Sequence, residues 1–250
     1  MLGTDKPEQE REEGTYVTED LQQPAAPAKG GVITSVEQLL RKRGMYEIYL
    51  DHDKEPALTV HEDILVRYKL LKGAVLSAAA VDDIWQAGER HQAYTLALAY
   101  LGVKARTSME IERYLRRREV AEERIAPVVE RLIREQLVDD EDYARRFAGD
   151  RMRLQQKGSR RIQQELIQRG VAKTVAAAAV EGLDSEQEQQ GAIRAAAKKW
   201  PNLKGERQDR KRKLMMFLLR RGYPHPIVRQ AIAAVLEEDN IAEEGQMLDN

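Results

Sequence analysis

The 250-residue chain contains no cysteine. Disulfides, thiolate metal sites and cysteine nucleophiles are therefore excluded together, and the composition suits a reducing cytosol. Aromatic residues are scarce at 5%, whereas charged residues reach 33%. That balance fits a helix-rich, well-solvated protein better than a β-sandwich. No run approaches the roughly 18–20 unbroken apolar residues that span a bilayer. The start of the chain lacks a basic stretch followed by an apolar one, so no secretory signal is expected and the protein is expected to be cytoplasmic. GxxxxGK[ST], GxSxG and HExxH are all missing, and with them the signatures of phosphate-loop, hydrolase and zinc-protease chemistry. Neither catalysis nor a cofactor is expected.

What is present is an apolar fraction of 42%, enough for a core, and a net charge of −1 that hides an uneven distribution. Residues 1–30 hold seven acids against three bases, and residues 237–250 hold six acids and no Lys or Arg. With three of the 41 bases and thirteen of the 42 acids in those ends, the middle keeps 38 bases against 29 acids, a surplus of nine. A basic body between acidic tails points to a polyanionic or acidic partner. A solvated helical surface built from Lys and Arg, both good helix formers, fits as well.

Residues 1–30 read as a disordered acidic tail, polar and aperiodic, with Pro24, Pro27 and the pair Gly30-Gly31. Residues 31–75 read as a small β-containing module. There Tyr46, Ile48 and Leu50 alternate with polar neighbours, and a polar turn at residues 52–55 leads to a second short run, Ala57 to Val60, which is a hairpin signal. Val32 to Leu40 fits either a strand or a helical turn. Glu62 and Asp63 suit a first helical turn, with Gly73 as a stop after Leu70 and Leu71. Ser77 is a good N-cap for a connecting helix over 76–92.

From there one pattern is written three times. Ile111 and Leu115 return as Ile162 and Leu166, then as Leu214 and Leu218. Arg118, Arg169 and Arg221 close these helices, followed by Glu119, Gly170 and Gly222; the two glycines supply the left-handed residue of a helix C-cap. A further stripe, Ile125, Val128, Val129 and Leu132, recurs as Ala176, Ala179, Val180 and Leu183, then as Val228, Ala231, Ile232 and Val235. Each set follows the i, i+3, i+4, i+7 spacing of an amphipathic helix. With a first helix at 93–101, 143–154 and 190–200, the chain divides into three-helix units over 93–140, 141–186 and 187–236. An acidic tail follows at 237–250. The third unit carries an insertion, Pro201 to Gly205, expected to lengthen its loop. The fold class is mainly α, with stacked units sharing faces as in solenoids.

The densest basic cluster is Arg145, Arg146, Arg151, Arg153, Lys157, Arg160 and Arg161. Arg146, Arg153 and Lys157 are expected near one helical face, with Ser159 capping the next helix. Guanidinium groups suit bidentate recognition of phosphate or carboxylate. The competing reading is a solvated face neutralised by Asp150 and Glu165. Arg116, Arg117 and Arg118, and Lys211, Arg212 and Lys213, form weaker clusters of the same kind. No aromatics interleave these runs, so base reading is not indicated. The acidic run Asp139 to Asp142 reads as N-cap and dipole complement of the next helix rather than a metal site. His52, His61, His91 and His225 have no i, i+4 partner and read as turn or surface residues, so no metal is expected. Leu214 to Leu219, apolar on every side, reads as a buried helix, with a Met-rich docking groove as the alternative. Trp85 and Trp200 read as packing anchors.

The central segment, Leu137-Val-Asp-Asp-Glu-Asp-Tyr-Ala-Arg-Arg-Phe147 followed by Lys157-Gly-Ser-Arg-Arg-Ile-Gln-Gln-Glu-Leu-Ile-Gln-Arg-Gly-Val171, resembles the RecX family, bacterial modulators of the RecA recombinase. Ala97 to Leu101, Arg106 to Ile111, and Tyr114-Leu115 agree, and the resemblance covers roughly residues 90–236. The third unit departs most, at Met215-Met-Phe217 and Pro224-His-Pro226. The resemblance implies a curved array of three-helix units, acting as a monomer, that binds RecA and the RecA–single-stranded DNA filament and modulates recombinase activity, with weak direct DNA contact. The clusters named above, Arg116 and Arg117 included, are then the candidates for that contact. The alternative is a helical-repeat DNA-binding protein that acts without RecA.

Overall fold

The structure, a computed structural model, describes residues 29–40 and 42–248, with side chains as far as residue 241. The expected disordered segment therefore lies almost wholly outside the described residues. The chain divides into two compact units, one ending at Gln92 and the other starting at Ala93.

The first unit is a four-stranded antiparallel sheet with helices against it. Its strands are β1 (Gly31–Gln38), β2 (Met45–Leu50), β3 (Leu58–His61) and β4 (Val75–Leu76), in the order β3-β2-β1-β4. The expected hairpin is β2–β3, with Ile48 opposite Leu58 and Tyr46 opposite Val60. Val32 to Leu40, open between strand and helix in sequence, is resolved as strand as far as Gln38, because Val36 pairs with Ile48 and Ile33 with Leu50. Helix α1 (Glu62–Arg67) is shorter than the stop at Gly73 suggested. Lys69 turns left-handed (φ 52°) and ends it, so Leu70 packs into the core from a loop. That core joins Ile33, Ile48, Leu50, Leu58 and Val60 to Val81, Ile84 and Ala87 of α2 (Ala78–Leu101). Ser77 caps α2, its Oγ accepting from the Ala80 N–H at 3.1 Å. The helix does not break at residue 92: its later turns place Ala93 and Ala97 in the first core of the second unit.

The second unit continues with α3 (Ser108–Arg117), α4 (Glu122–Arg134), α5 (Asp140–Gln155), α6 (Ser159–Gln168), α7 (Lys173–Glu181), α8 (Ser185–Lys199), α9 (Arg207–Arg220) and α10 (His225–Leu248). A 3₁₀ turn, Trp200–Asn202, begins the insertion between α8 and α9. Three separate cores form, centred on Ile111 and Leu115, on Ile162 and Leu166, and on Leu214 and Leu218. Each is completed by its own later stripe, such as Ile125, Val128, Val129 and Leu132 in the first. The six central side chains are fully buried, so each copy encloses its own apolar interior.

All three copies end their middle helix in the same way. Val120, Val171 and Tyr223 donate backbone N–H groups to the carbonyls of Leu115, Leu166 and Leu218, at 3.1, 3.0 and 3.2 Å. The residue before each is left-handed, with φ of 59° at Glu119, 92° at Gly170 and 89° at Gly222. These are Schellman caps. Glu119 shows that the cap forms without glycine, so the glycines in the later copies serve something further.

Candidate binding surface

The further role of Gly170 and Gly222 is to let consecutive three-helix units touch. A Cβ on Gly170 would lie 2.3 Å from the Met109 Cβ, and one on Gly222 would lie 2.3 Å from both N and Cβ of Arg161. The N-terminal turn of each middle helix thus abuts the capped end of the next middle helix. At the first joint the Thr107 hydroxyl donates to the Arg169 carbonyl at 2.6 Å, and the Arg169 guanidinium donates to Glu110 at 2.8 Å. Asp140 accepts from the Ser108 N–H at 2.9 Å and from its hydroxyl at 2.5 Å. At the second joint Gly158 and Arg160 donate backbone N–H groups to the carbonyls of Arg221 and Gly222, at 2.9 and 3.1 Å. Glu188 accepts from the Ser159 N–H at 2.7 Å, so α6 is capped by the following copy and not by the Ser159 side chain. Arg221 donates to the carbonyls of Gln155 and Gln156, and the Tyr223 hydroxyl donates to Gln156 at 2.6 Å. Burial pushes the Tyr223 phenol up to about 12. The buried polar side chains among the described residues are Thr107 and Glu188, and both sit in these joints. Arg169 and Arg221 are therefore structural.

The cluster of the second copy is drawn partly inward. Glu165, 12% exposed, meets Lys157 at 2.8 Å, Arg161 at 3.0 Å and Arg151 at 3.6 Å. Burial opposes its charge, yet the hydrogen bonds from Lys157 and Arg161 outweigh that and hold the carboxyl below the usual range. Lys157 lies beyond the end of α5, because Gln156 is left-handed (φ 50°); the expected shared face with Arg146 and Arg153 does not form. Arg145 and Arg146 reach Asp142 at 3.4 and 2.7 Å, and Arg153 reaches Asp150 at 2.9 Å. All three are exposed, and surface pairs of this kind are worth about 0–1 kcal/mol, so they open readily to a partner. The side chain of Arg160 is exposed, with no hydrogen bond or ion pair among the described residues. In the first copy Arg116 is held by Glu122 at 2.7 Å and Glu112 at 3.4 Å, while Arg117 stands exposed. Asp139 caps α5 as expected, accepting from the N–H groups of Glu141 and Asp142 at 2.9 Å each.

The third copy carries a feature that charge runs alone do not mark. Lys199, Arg212, Lys213 and Arg220 surround Leu203, Met216 and Phe217 in a shallow groove of about 540 Å³. Lys213, Met216, Phe217 and Arg220 follow i, i+3, i+4, i+7, the spacing of one helical face. Leu214 and Leu218 are buried behind that face, so the expected all-round burial of residues 214–219 fails at Met216, which is 49% exposed. Lys199 lies 5.7 Å from the Phe217 ring. Lys213 donates to the Lys204 carbonyl at 2.7 Å, and Arg212 stands 3.8 Å from Asp209, an exposed and loose pair. Lys211 and Arg220 are exposed without a partner among the described residues. Cations with an aromatic and a thioether between them suit a phosphate-bearing or acidic partner with an apolar component.

Two of the histidines come together in a way that spacing does not show. His61 and His91 stack at 4.4 Å with Asp63 beside them, a grouping invisible in sequence because thirty positions separate the two rings. Among the described residues, no helix is long and apolar enough to cross a membrane.

The three-helix units coincide with known ones. Models of the first, second and third three-helix domains of RecX match residues 93–132, 139–180 and 186–232. Regulatory protein RecX of Staphylococcus aureus strain JH9 is 30% identical over 218 residues, covering 87% of this chain and 78% of the relative. The Oceanobacillus iheyensis protein of the same name is 29% identical over 212 residues, covering 83% and 78%. A crystal structure of regulatory protein RecX superposes with a TM-score of 0.67 at 26% identity, over 79% of this chain and 97% of that one. RecX from Lactobacillus salivarius shares the fold, with a TM-score of 0.55 at 24% identity over 60% and 97%. Matched unit by unit and along most of its length, this chain belongs to the RecX family of regulatory proteins.

Proposed function

We propose that this protein is a non-enzymatic, cytoplasmic and monomeric regulator of RecA that binds RecA and its single-stranded DNA filament and restrains recombinase activity. Family membership supports a regulator of RecA. The observation that carries the binding mode is the array itself: the joints fix consecutive copies in register, and each copy turns outward a different set of cations. A repetitive filament is engaged well by a repetitive ligand, because each added contact is made at high effective concentration. The contacts we assign are Arg145, Arg146, Arg153 and Arg160 of the second copy, Lys211, Arg212 and Lys213 of the third, and Arg117 of the first. Arg116, Arg151, Lys157 and Arg161 join them at the edge of their carboxylate partners.

Co-sedimentation with RecA–single-stranded DNA filaments, together with RecA's DNA-dependent ATPase, tests this. Saturable co-sedimentation and a lowered ATPase rate are expected. A protein that stays in the supernatant and leaves the ATPase unchanged overturns the proposal. The third-copy groove supports a second reading, direct DNA binding without RecA. Duplex binding that weakens steeply with salt and is equally tight without RecA would favour it.

A further inference from the structure

We propose that His61, Asp63 and His91 form a binding site for a borderline divalent cation, zinc in the first instance, within the N-terminal unit. One donor atom from each residue lies within 4.8 Å of the other two. The His61 Nδ1 is 3.5 Å from the Asp63 Oδ2, and the His91 Nε2 is 3.8 Å from the same oxygen. In a tetrahedral zinc site with bonds of roughly 2.0–2.1 Å, ligand atoms stand about 3.3 Å apart, so small side-chain rotations close the present spacing. The donor set suits the ion: imidazole nitrogens favour zinc, copper and nickel over magnesium or calcium, and one carboxylate offsets half of the metal charge. Two histidines and one carboxylate leave a fourth position for water.

The placement gives the ion an entry path and a structural consequence. Asp63 is 68% exposed on its side chain, whereas His61 and His91 are at 30% and 17%, so the site opens outward through the carboxylate. His61 ends β3 and caps α1, and His91 lies on α2. A bound ion would therefore staple the edge strand β3 to the long helix. Ligation has a competitor: the His61 Nδ1 now accepts the Asp63 backbone N–H at 3.2 Å, and the ion must displace that cap bond. Affinity is accordingly moderate, and the ion reinforces a unit that already has its own core.

The test uses the full chain without an affinity tag, freed of metal by chelation and titrated with zinc chloride by calorimetry and by thermal unfolding. One equivalent is expected, with a rise in melting temperature. His61→Asn keeps a cap acceptor while removing the imidazole, and His91→Gln leaves α1 untouched. Each is expected to weaken binding at least about tenfold and abolish the thermal shift, as loss of a metal ligand does. His52→Gln, outside the cluster, is expected to bind like the unaltered protein. Variants that fold and keep the original affinity, a binding loss equal in His52→Gln, or no zinc-dependent shift in the unaltered protein would each overturn the proposal.

Discussion

Glu165 shows how one carboxylate changes the meaning of a basic cluster. Sequence places Arg151, Lys157 and Arg161 among outward cations, yet all three turn to this side chain. Its folded pKa is depressed, so its contribution to stability is present above the unfolded value, near 4.5, and is lost as pH falls through the folded value. Glu165→Gln is expected to cost about 1.5–3 kcal/mol at neutral pH, the range of hydrogen bonds to charged groups. Urea unfolding at neutral and acid pH checks this: the variant should lose less stability than the unaltered protein as pH falls from about 6 to about 3. Glycines make an equally local prediction. Gly222→Ala places a Cβ 2.3 Å from Arg161 at φ 89° and should destabilise by at least about 1–3 kcal/mol. Gly149→Ala, in the middle of α5 with nothing within 4 Å, should stabilise by about 0.5–1 kcal/mol, since alanine loses less entropy in a helix. Denaturation midpoints of the two variants should move in opposite directions.

At the scale of elements, the helices were legible in sequence and the joints between them were not. Apolar stripes such as Ile125, Val128, Val129 and Leu132 declare a helix because their spacing repeats along the chain, and each is buried. The Schellman caps were legible at Gly170 and Gly222 but not at Glu119, where nothing in the residue type announces a left-handed turn. The joints pair residues across long separations, Ser108 with Asp140 and Ser159 with Glu188, through one or two hydrogen bonds of ordinary polar types. No local period encodes such a pairing, and Asp140 reads equally well as part of its own helix's first turn. The third-copy groove was half legible: the run from Lys211 to Lys213 is visible, whereas Lys199 enters from α8 only once the helices pack. The joint yields its own prediction. Asp140→Ala removes the acceptor for the Ser108 N–H at the start of α3 and should cost about 1 kcal/mol, as N-cap losses do. Amide hydrogen exchange should accelerate in the first turn of α3, while α9 and α10, two copies away, keep their protection; uniform acceleration along the chain would contradict a local joint.

At the scale of the molecule, the framework and most of the proposed contacts fall on different residues. Three small cores, fastened pairwise, behave as a short solenoid in which each copy is stabilised by itself and by its neighbours. Leu166→Asp, a charge placed in the fully buried centre of the middle copy, should unfold at least that copy. The cations that face outward contribute little to this framework, so they can be removed without unfolding it. Two triple variants separate the candidate surfaces: Arg146→Ala, Arg153→Ala and Arg160→Ala in the second copy, and Arg212→Ala, Lys213→Ala and Arg220→Ala in the third. Lys157 is left in place because its loss would strip Glu165 of a partner and confuse binding with stability. Both triples should melt close to the unaltered protein, since exposed pairs such as Arg153–Asp150 contribute about 0–1 kcal/mol. The third-copy triple should weaken filament binding about tenfold or more, because it removes cations around an apolar floor that no carboxylate among the described residues firmly neutralises. If that groove meets phosphate, each lost contact should also lower the slope of log affinity against log salt by about 1. If it meets an acidic face of the recombinase, affinity should drop while the DNA-dependent part of the slope stays put. Filament binding by both triples at the unaltered affinity would remove these surfaces from the interface and leave contact to the apolar and backbone groups of the array.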